Sequence, residues 1–168
     1  MSKKTISGPI YILGDDINTD DIVPSYTLTI RDPKEIAKHT LEMIDPQFVK
    51  EISKKSIILA GENFGTGSSR EEAVNVLKIL GIKAIIAKSF ARIYFRNLIN
   101  QGVPAISLKW KKEDFSNGDN IEILLTQGQL VNKTKNKNIS FNKLPDFIMD
   151  ILVQGGILKK LSKKLIKN

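Results

Sequence analysis

The residues best suited to chemistry lie in one short run, Gly65-Thr66-Gly67-Ser68-Ser69-Arg70. Two glycines let the backbone take unusual torsions and approach a ligand closely. Hydroxyls and a guanidinium follow at once. Set between a strand and a helix, such a run makes an anion site by geometry. The first N–H groups of the helix have no internal partner, and the helix dipole favours negative charge. The arginine fork suits a carboxylate. A serine hydroxyl is far too weak an acid to ionise at neutral pH, but backbone donors at a helix start could stabilise its alkoxide. Ser68 could then remove a proton from a carbon next to a carboxylate held by Arg70. The bland alternative is a well-capped helix. Ser68 and Ser69 occupy cap positions, and Glu72, three residues after Ser69, would complete a capping box.

Other chemistries fit less well. No lysine follows Gly67, as a P-loop requires, and the third glycine of the dinucleotide fingerprint is missing. A Ser–His–Asp site has no support, because the single histidine, His39, falls in a predicted helix facing solvent. The chain has no cysteine, so it can form no disulfide and hold no thiolate-bound metal or iron–sulfur cluster.

The loop needs a strand before it and a helix after it, and the flanking pattern supplies both. Residues 56–60 read as a short buried strand and residues 69–80 as a helix, with Ala73, Val76, Leu77 and Leu80 at helical spacing and Gly81 as its stop. A buried strand over 84–87, a helix over 90–100 and a strand over 104–108 follow. This alternation implies parallel strands joined by helices. Upstream, residues 6–13 read as a strand broken by Gly8-Pro9, running into an acidic turn over 14–21. Asp32-Pro33 starts a helix over 34–43, and a short second helix runs from Asp45-Pro46 to Ile52. The last third changes character. Short strands at 121–125, 129–132 and 139–141 read as antiparallel, with Asn117-Gly118-Asp119 as a turn. Helices over 144–152 and 158–166 close the chain, the second with a lysine face.

At 168 residues the chain can bury a sizeable core, with 41% hydrophobic and 26% charged residues. No apolar run reaches the roughly 18 residues of a membrane span. No apolar stretch of a secretory signal follows the basic start. These features suit a cytoplasmic protein. The formal charge of +8 rests mainly on dispersed lysines without interleaved aromatics, which does not point to nucleic acid. Only four of the 26 basic residues are arginines: Arg31, Arg70, Arg92 and Arg96. Where lysine serves for surface charge, arginine is expected where its planar fork matters.

The run from Gly61 to Glu71 (Gly-Glu-Asn-Phe-Gly-Thr-Gly-Ser-Ser-Arg-Glu) resembles the signature of the aconitase-type swivel domain. Ala87-Lys88-Ser89-Phe90-Ala91-Arg92-Ile93 follows at that family's spacing. Asn18-Thr19-Asp20-Asp21-Ile22 matches its opening motif, and Phe95-Arg96-Asn97 the helix after the second strand. The resemblance runs from about residue 10 to about residue 157. It implies an α/β fold, layered β/β/α, with a central partly parallel sheet and flanking helices. It also implies a single swivel domain over 1–168, with a basic C-terminal helix over 158–168. A free-standing swivel domain of this size resembles the small subunits of 3-isopropylmalate dehydratase and of its homoaconitase and methylmalate (citraconate) hydratase relatives.

That resemblance implies a hydro-lyase acting on a small hydroxy-dicarboxylate, interconverting 2- and 3-isopropylmalate in leucine biosynthesis. The chain would be active only with a large subunit, as a heterodimer or heterotetramer. The large subunit would carry a 4Fe–4S cluster on three cysteines, with no metal or cofactor on this chain. No membrane partner is implied. Ser68 matches the family's catalytic base, Arg70 its substrate-carboxylate arginine, and Ser69 a neighbouring serine that contacts substrate, with Gly67 beside them. Asp20 and Asp21 would organise the site, and Arg92 and Arg96 would support it or meet the other subunit. Glu72 stands where many members have histidine. In the family the stretch Thr27-Leu28-Thr29-Ile30-Arg31 reads the substrate's variable group, and here it departs from the common pattern. Leu28 and Ile30 would suit an isopropyl or methyl group, and Arg31 an extra carboxylate, as in homoaconitate. A relative of a different class, one that keeps the fold but only binds partners such as RNA, is the alternative that the positive charge suggests.

Overall fold

The structure, a computed structural model, describes residues 5–52 and 56–166. The outer ends of the expected domain, residues 1–4 and 167–168, lie outside the described residues. Strands β1 (Thr5–Ile12), β2 (Ile57–Ala60), β3 (Ala84–Ala87), β4 (Ala105–Ser107), β5 (Asn120–Leu124), β6 (Gln129–Asn132) and β7 (Lys137–Ser140) form one sheet in the order β4-β3-β2-β1-β5-β6-β7. From β4 to β1 all pairings are parallel; from β1 to β7 all are antiparallel.

Gly8-Pro9 does not break β1. The strand changes partner there. Residues 5–9 pair with β5, and residues 10–12 pair with β2. Proline has no N–H to give to a ladder, so a change of partner at Pro9 wastes no donor.

The two faces of β2 and β3 lead into different cores, as strand alternation requires. Ile58, Ala60, Ile85 and Ala87 join the cluster that packs under the helices. Ile57, Leu59, Ala84 and Ile86 join the cluster shared with Ile121, Ile123, Leu130 and Phe141 of the antiparallel half. The sheet therefore curls over itself with helices on its outer face, which is the expected β/β/α layering.

The helices are α1 (Thr19–Ile22), α2 (Pro33–Ala37), α3 (Phe48–Glu51), α4 (Glu72–Ile79), α5 (Arg92–Asn100), α6 (Asp146–Val153) and α7 (Ile157–Ile166). The helix expected over 34–43 stops at Ala37. Leu41 takes a positive φ of 59° while its N–H bonds to the carbonyl of Ile22. Its side chain is fully buried, so tertiary packing overrides local helix preference. The acidic turn over 14–21 runs into α1, which opens on a reciprocal cap: Asn18 Oδ1 accepts from Asp21 N–H, and Asp21 Oδ2 accepts from Asn18 N–H.

Candidate active site

Three segments that follow the ends of parallel strands meet beyond the carboxyl end of the parallel half of the sheet. One follows β1 into α1, one follows β2 as the glycine loop, and one follows β3 into α5. Backbone bonds lock them: Gly65 N–H to Ile17 O at 2.7 Å, Thr19 N–H to Thr66 O at 2.8 Å, and Phe64 N–H to Ser89 O at 3.0 Å. Side chains finish the work. Asp15 accepts from Glu62 N–H at 2.7 Å, and the Ser89 hydroxyl accepts from Asn63 N–H at 2.8 Å while donating to Glu62 at 2.7 Å. The bond from Ser89, with another from Lys109, holds the Glu62 carboxyl below the usual carboxylate range.

Gly65 is required by two facts together. Its φ is +84°, and a Cβ there would stand 2.2 Å from the ring of Tyr94. Tyr94 itself is buried, and its hydroxyl donates to Ala73 O at 2.7 Å. Burial pushes that hydroxyl's pKa up, so it stays protonated as a fixed strut between α4 and α5.

Gly67, Ser68, Ser69 and Arg92 line one cleft of about 390 Å3, with Tyr94 at its wall. Gly67 has φ +101°, and a Cβ there would lie 2.9 Å from the Thr19 hydroxyl. The Thr19 Oγ1 stands 3.4 Å from Ser68 Oγ. The backbone N–H groups of Ser68 and Ser69 find no hydrogen-bond partner among the described residues. The expected capping box is not formed. α4 begins at Glu72, Glu71 holds the cap position without a side-chain bond, and the two serines stay in the loop. The correction has a chemical consequence: hydroxyls and amides that a cap would have consumed remain available to a ligand.

Arg70 points toward α1. Its Nη1 lies 2.7 Å from Asp20 Oδ1 and donates to Val23 O at 3.3 Å. Both contacts use one nitrogen, so the Nε–Nη2 edge of the fork is left for a carboxylate. Asp20 and Asp21 divide their labour: Asp20 meets Arg70, whereas Asp21 belongs to the α1 cap.

The first three residues of the stretch expected to read the substrate, Thr27 to Thr29, belong to a 3-10 helix, Ser25–Thr29, and Ile30 leaves it in an extended conformation. Thr27 is buried with its hydroxyl spent on Pro24 O at 2.7 Å, which removes it from the reading surface. Thr29 is exposed and donates to Tyr26 O. Leu28, Ile30 and Arg31 line a separate cleft of about 190 Å3 with Ile36, Glu72 and Val76. Arg96 lies away from Ser68, in a cleft between α5 and α6 that also includes Arg92.

Thr19 and Asn18 were not given roles from sequence. Asn18 and Asp21 stand at cap spacing, which was a readable signal; nothing in the sequence places the Thr19 hydroxyl beside Ser68. Among the described residues, no cluster of three or more His, Asp or Glu could hold a metal, and no helix is long and apolar enough to cross a membrane.

Residues 22–113 match the family of the aconitase C-terminal domain. The chain is 45% identical to the 3-isopropylmalate dehydratase small subunit 1 of Archaeoglobus fulgidus over 90% of its own length and 94% of that protein. It is 45% identical to the corresponding protein of Thermotoga maritima, covering 94% of this chain and 95% of the other. The crystal structure of 3-isopropylmalate dehydratase (LeuD) from Methanocaldococcus jannaschii superposes with a TM-score of 0.90 at 43% identity, covering 98% of both chains. The sheet, the serine loop and these likenesses agree, and the chain belongs to the family of 3-isopropylmalate dehydratase small subunits.

Proposed function

We propose that this chain is the small subunit of a cytoplasmic two-subunit hydro-lyase that interconverts 2- and 3-isopropylmalate by dehydration and rehydration in leucine biosynthesis. It would act as one swivel domain closing over the substrate. The observation that carries this reading is the juxtaposition at the glycine loop. Ser68 stands with unpaired backbone N–H groups around it, and Arg70 is fixed by Asp20 with one edge of its fork unused. Ser68 takes the proton from the carbon beside a carboxylate. The neighbouring amides stabilise its alkoxide, and Arg70 holds that carboxylate. The Thr19 hydroxyl, 3.4 Å from that of Ser68, is placed to orient it. A chain without cysteine offers no thiolates for an iron–sulfur cluster, which supports a cluster on the large subunit, where it would supply the Lewis acid for the leaving hydroxyl.

Isopropylmalate is favoured as substrate by the relatives, which are 3-isopropylmalate dehydratase small subunits at 45% identity. The cleft at Leu28 and Ile30 is mixed in character, with Arg31 and Glu72 beside the apolar groups. The test is anaerobic reconstitution with the large subunit, comparing isopropylmalate, citramalate and a homocitrate-type substrate. Isopropylmalate is expected to have the highest kcat/KM, at least about tenfold above the others, and the chain alone should be inactive. A preference for the homocitrate-type substrate would reassign the substrate, and no turnover of any would overturn the reading.

A further inference from the structure

A cleft between α5 and α6 lies outside the proposed chemistry. It measures about 650 Å3 and is lined by Lys88, Arg92 and Arg96, with Phe95, Phe147 and Ile151 among its apolar walls. None of its lining residues is acidic. Arg92 and Arg96 stand one turn apart on α5, like charges on one face, which a helix disfavours. Arg92 is also the first residue of α5, where the helix dipole repels a cation, and the first turn carries no acid to offset it. Neither arginine meets a carboxylate among the described residues. Lys88 rests over the ring of Trp110 at 4.8 Å. The nearby Asp150 is spent on Lys160 at 2.6 Å.

Half of the chain's four arginines are thus gathered where the isolated fold gains nothing from them. The apolar side chains nearby stand out rather than close over the cleft: Phe147 is 66% exposed, and Ile93, on the same helix as the arginines, is 56% exposed. An exposed aromatic group beside arginines is the composition of a protein interface. A small ligand would leave Phe147 in water. The surface is also continuous with the Ser68 cleft, because Arg92 lines both and Ile93 lines the latter.

We propose that this cleft receives an acidic segment of the partner subunit, one presenting carboxylates to Arg92 and Arg96 and an apolar side chain to Phe147. The proposal rests on the two-subunit reading above; a partner that completes the Ser68 site would lie beside this surface, with which that cleft shares Arg92. Docking here would bring the partner's substrate-binding face to the glycine loop from the α5 side.

The test uses the full chain with its large subunit and the variants Arg96→Glu, Arg96→Lys and Phe147→Ala, neither residue belonging to the Ser68 cleft. Thermal melts first establish that each variant is folded. Arg96→Glu should weaken association at least tenfold and flatten its salt dependence; Arg96→Lys should fall between it and the wild type. Phe147→Ala should weaken association with the salt dependence kept. A role confined to folding would leave the salt dependence untouched. Folded Arg96→Glu and Phe147→Ala chains that associate within twofold of wild type would overturn the proposal while turnover by the wild-type complex upheld the two-subunit enzyme. Association without turnover by the wild type would sink the enzyme and spare the docking surface; no association by the wild type would sink both. Saturable binding of malonate to the isolated chain, lost in Arg96→Glu with association unchanged, would reassign the cleft to a small anion and so also overturn the proposal.

Discussion

The two halves of the sheet are built on different rules. In the parallel half, every residue of β2 and β3 is buried, so both faces are closed and only the strand ends open to solvent. In the antiparallel half, β5 and β6 alternate buried and part-exposed residues in the ordinary one-sided manner. A strand covered on both faces can present chemistry only where it stops. The serine loop, the α1 turn and the Ser89 segment all lie past the carboxyl ends of parallel strands, where α/β folds place their ligands. The antiparallel half covers one of the two cores and holds none of the residues proposed to act on substrate.

That division can be broken by mutation. Ser68→Ala should lower turnover about a thousandfold, roughly 4 kcal/mol in the barrier, with the heteromer still assembled; near-normal activity in the reconstituted enzyme would remove Ser68 as the base. Leu130→Ala, in the fully buried centre of β6, should cost about 3 kcal/mol of stability and lower Tm by on the order of 10 °C. Its kcat per folded molecule should stay at the wild-type value, and a fall there would mean the antiparallel half does shape the site. Asp20→Asn is a smaller probe within the parallel half. Arg70 would lose its charged partner and wander, raising KM about tenfold while kcat changes little; steady-state kinetics showing unchanged KM would leave Arg70 positioned by Val23 O alone.

Much of the parallel half was legible in the sequence, because apolar runs, a glycine loop and a glycine stop are local signals. The strand over 56–60 and the helices after it fall within a few residues of their expected places. The start of α4 was misread for an instructive reason. Ser69 and Glu72 have cap chemistry and cap spacing, yet the loop holds the serines open, and the real capping box sits at Asn18–Asp21 in a helix only four residues long. Composition cannot tell a serine that caps from one kept free for a ligand. The Arg70–Asp20 pair was out of reach for another reason, since it joins segments 50 positions apart through a tertiary fold. Thr27 was counted among the reading residues because nothing in the sequence shows that it will turn its hydroxyl back onto Pro24.

The change of partner along β1 bears on the order in which the molecule can be assembled. Residues 10–12 need only β2, but residues 5–9 need β5, so Thr5 must wait for Leu124. During synthesis the parallel strands can come together while the first half of β1 still offers an open edge. Such an edge invites pairing with another chain, and contacts this distant in sequence form late. The β5–β7 meander therefore acts as a closing clasp. A chain stalled before it would carry the three finished loops of the proposed site on a sheet still able to aggregate through β1.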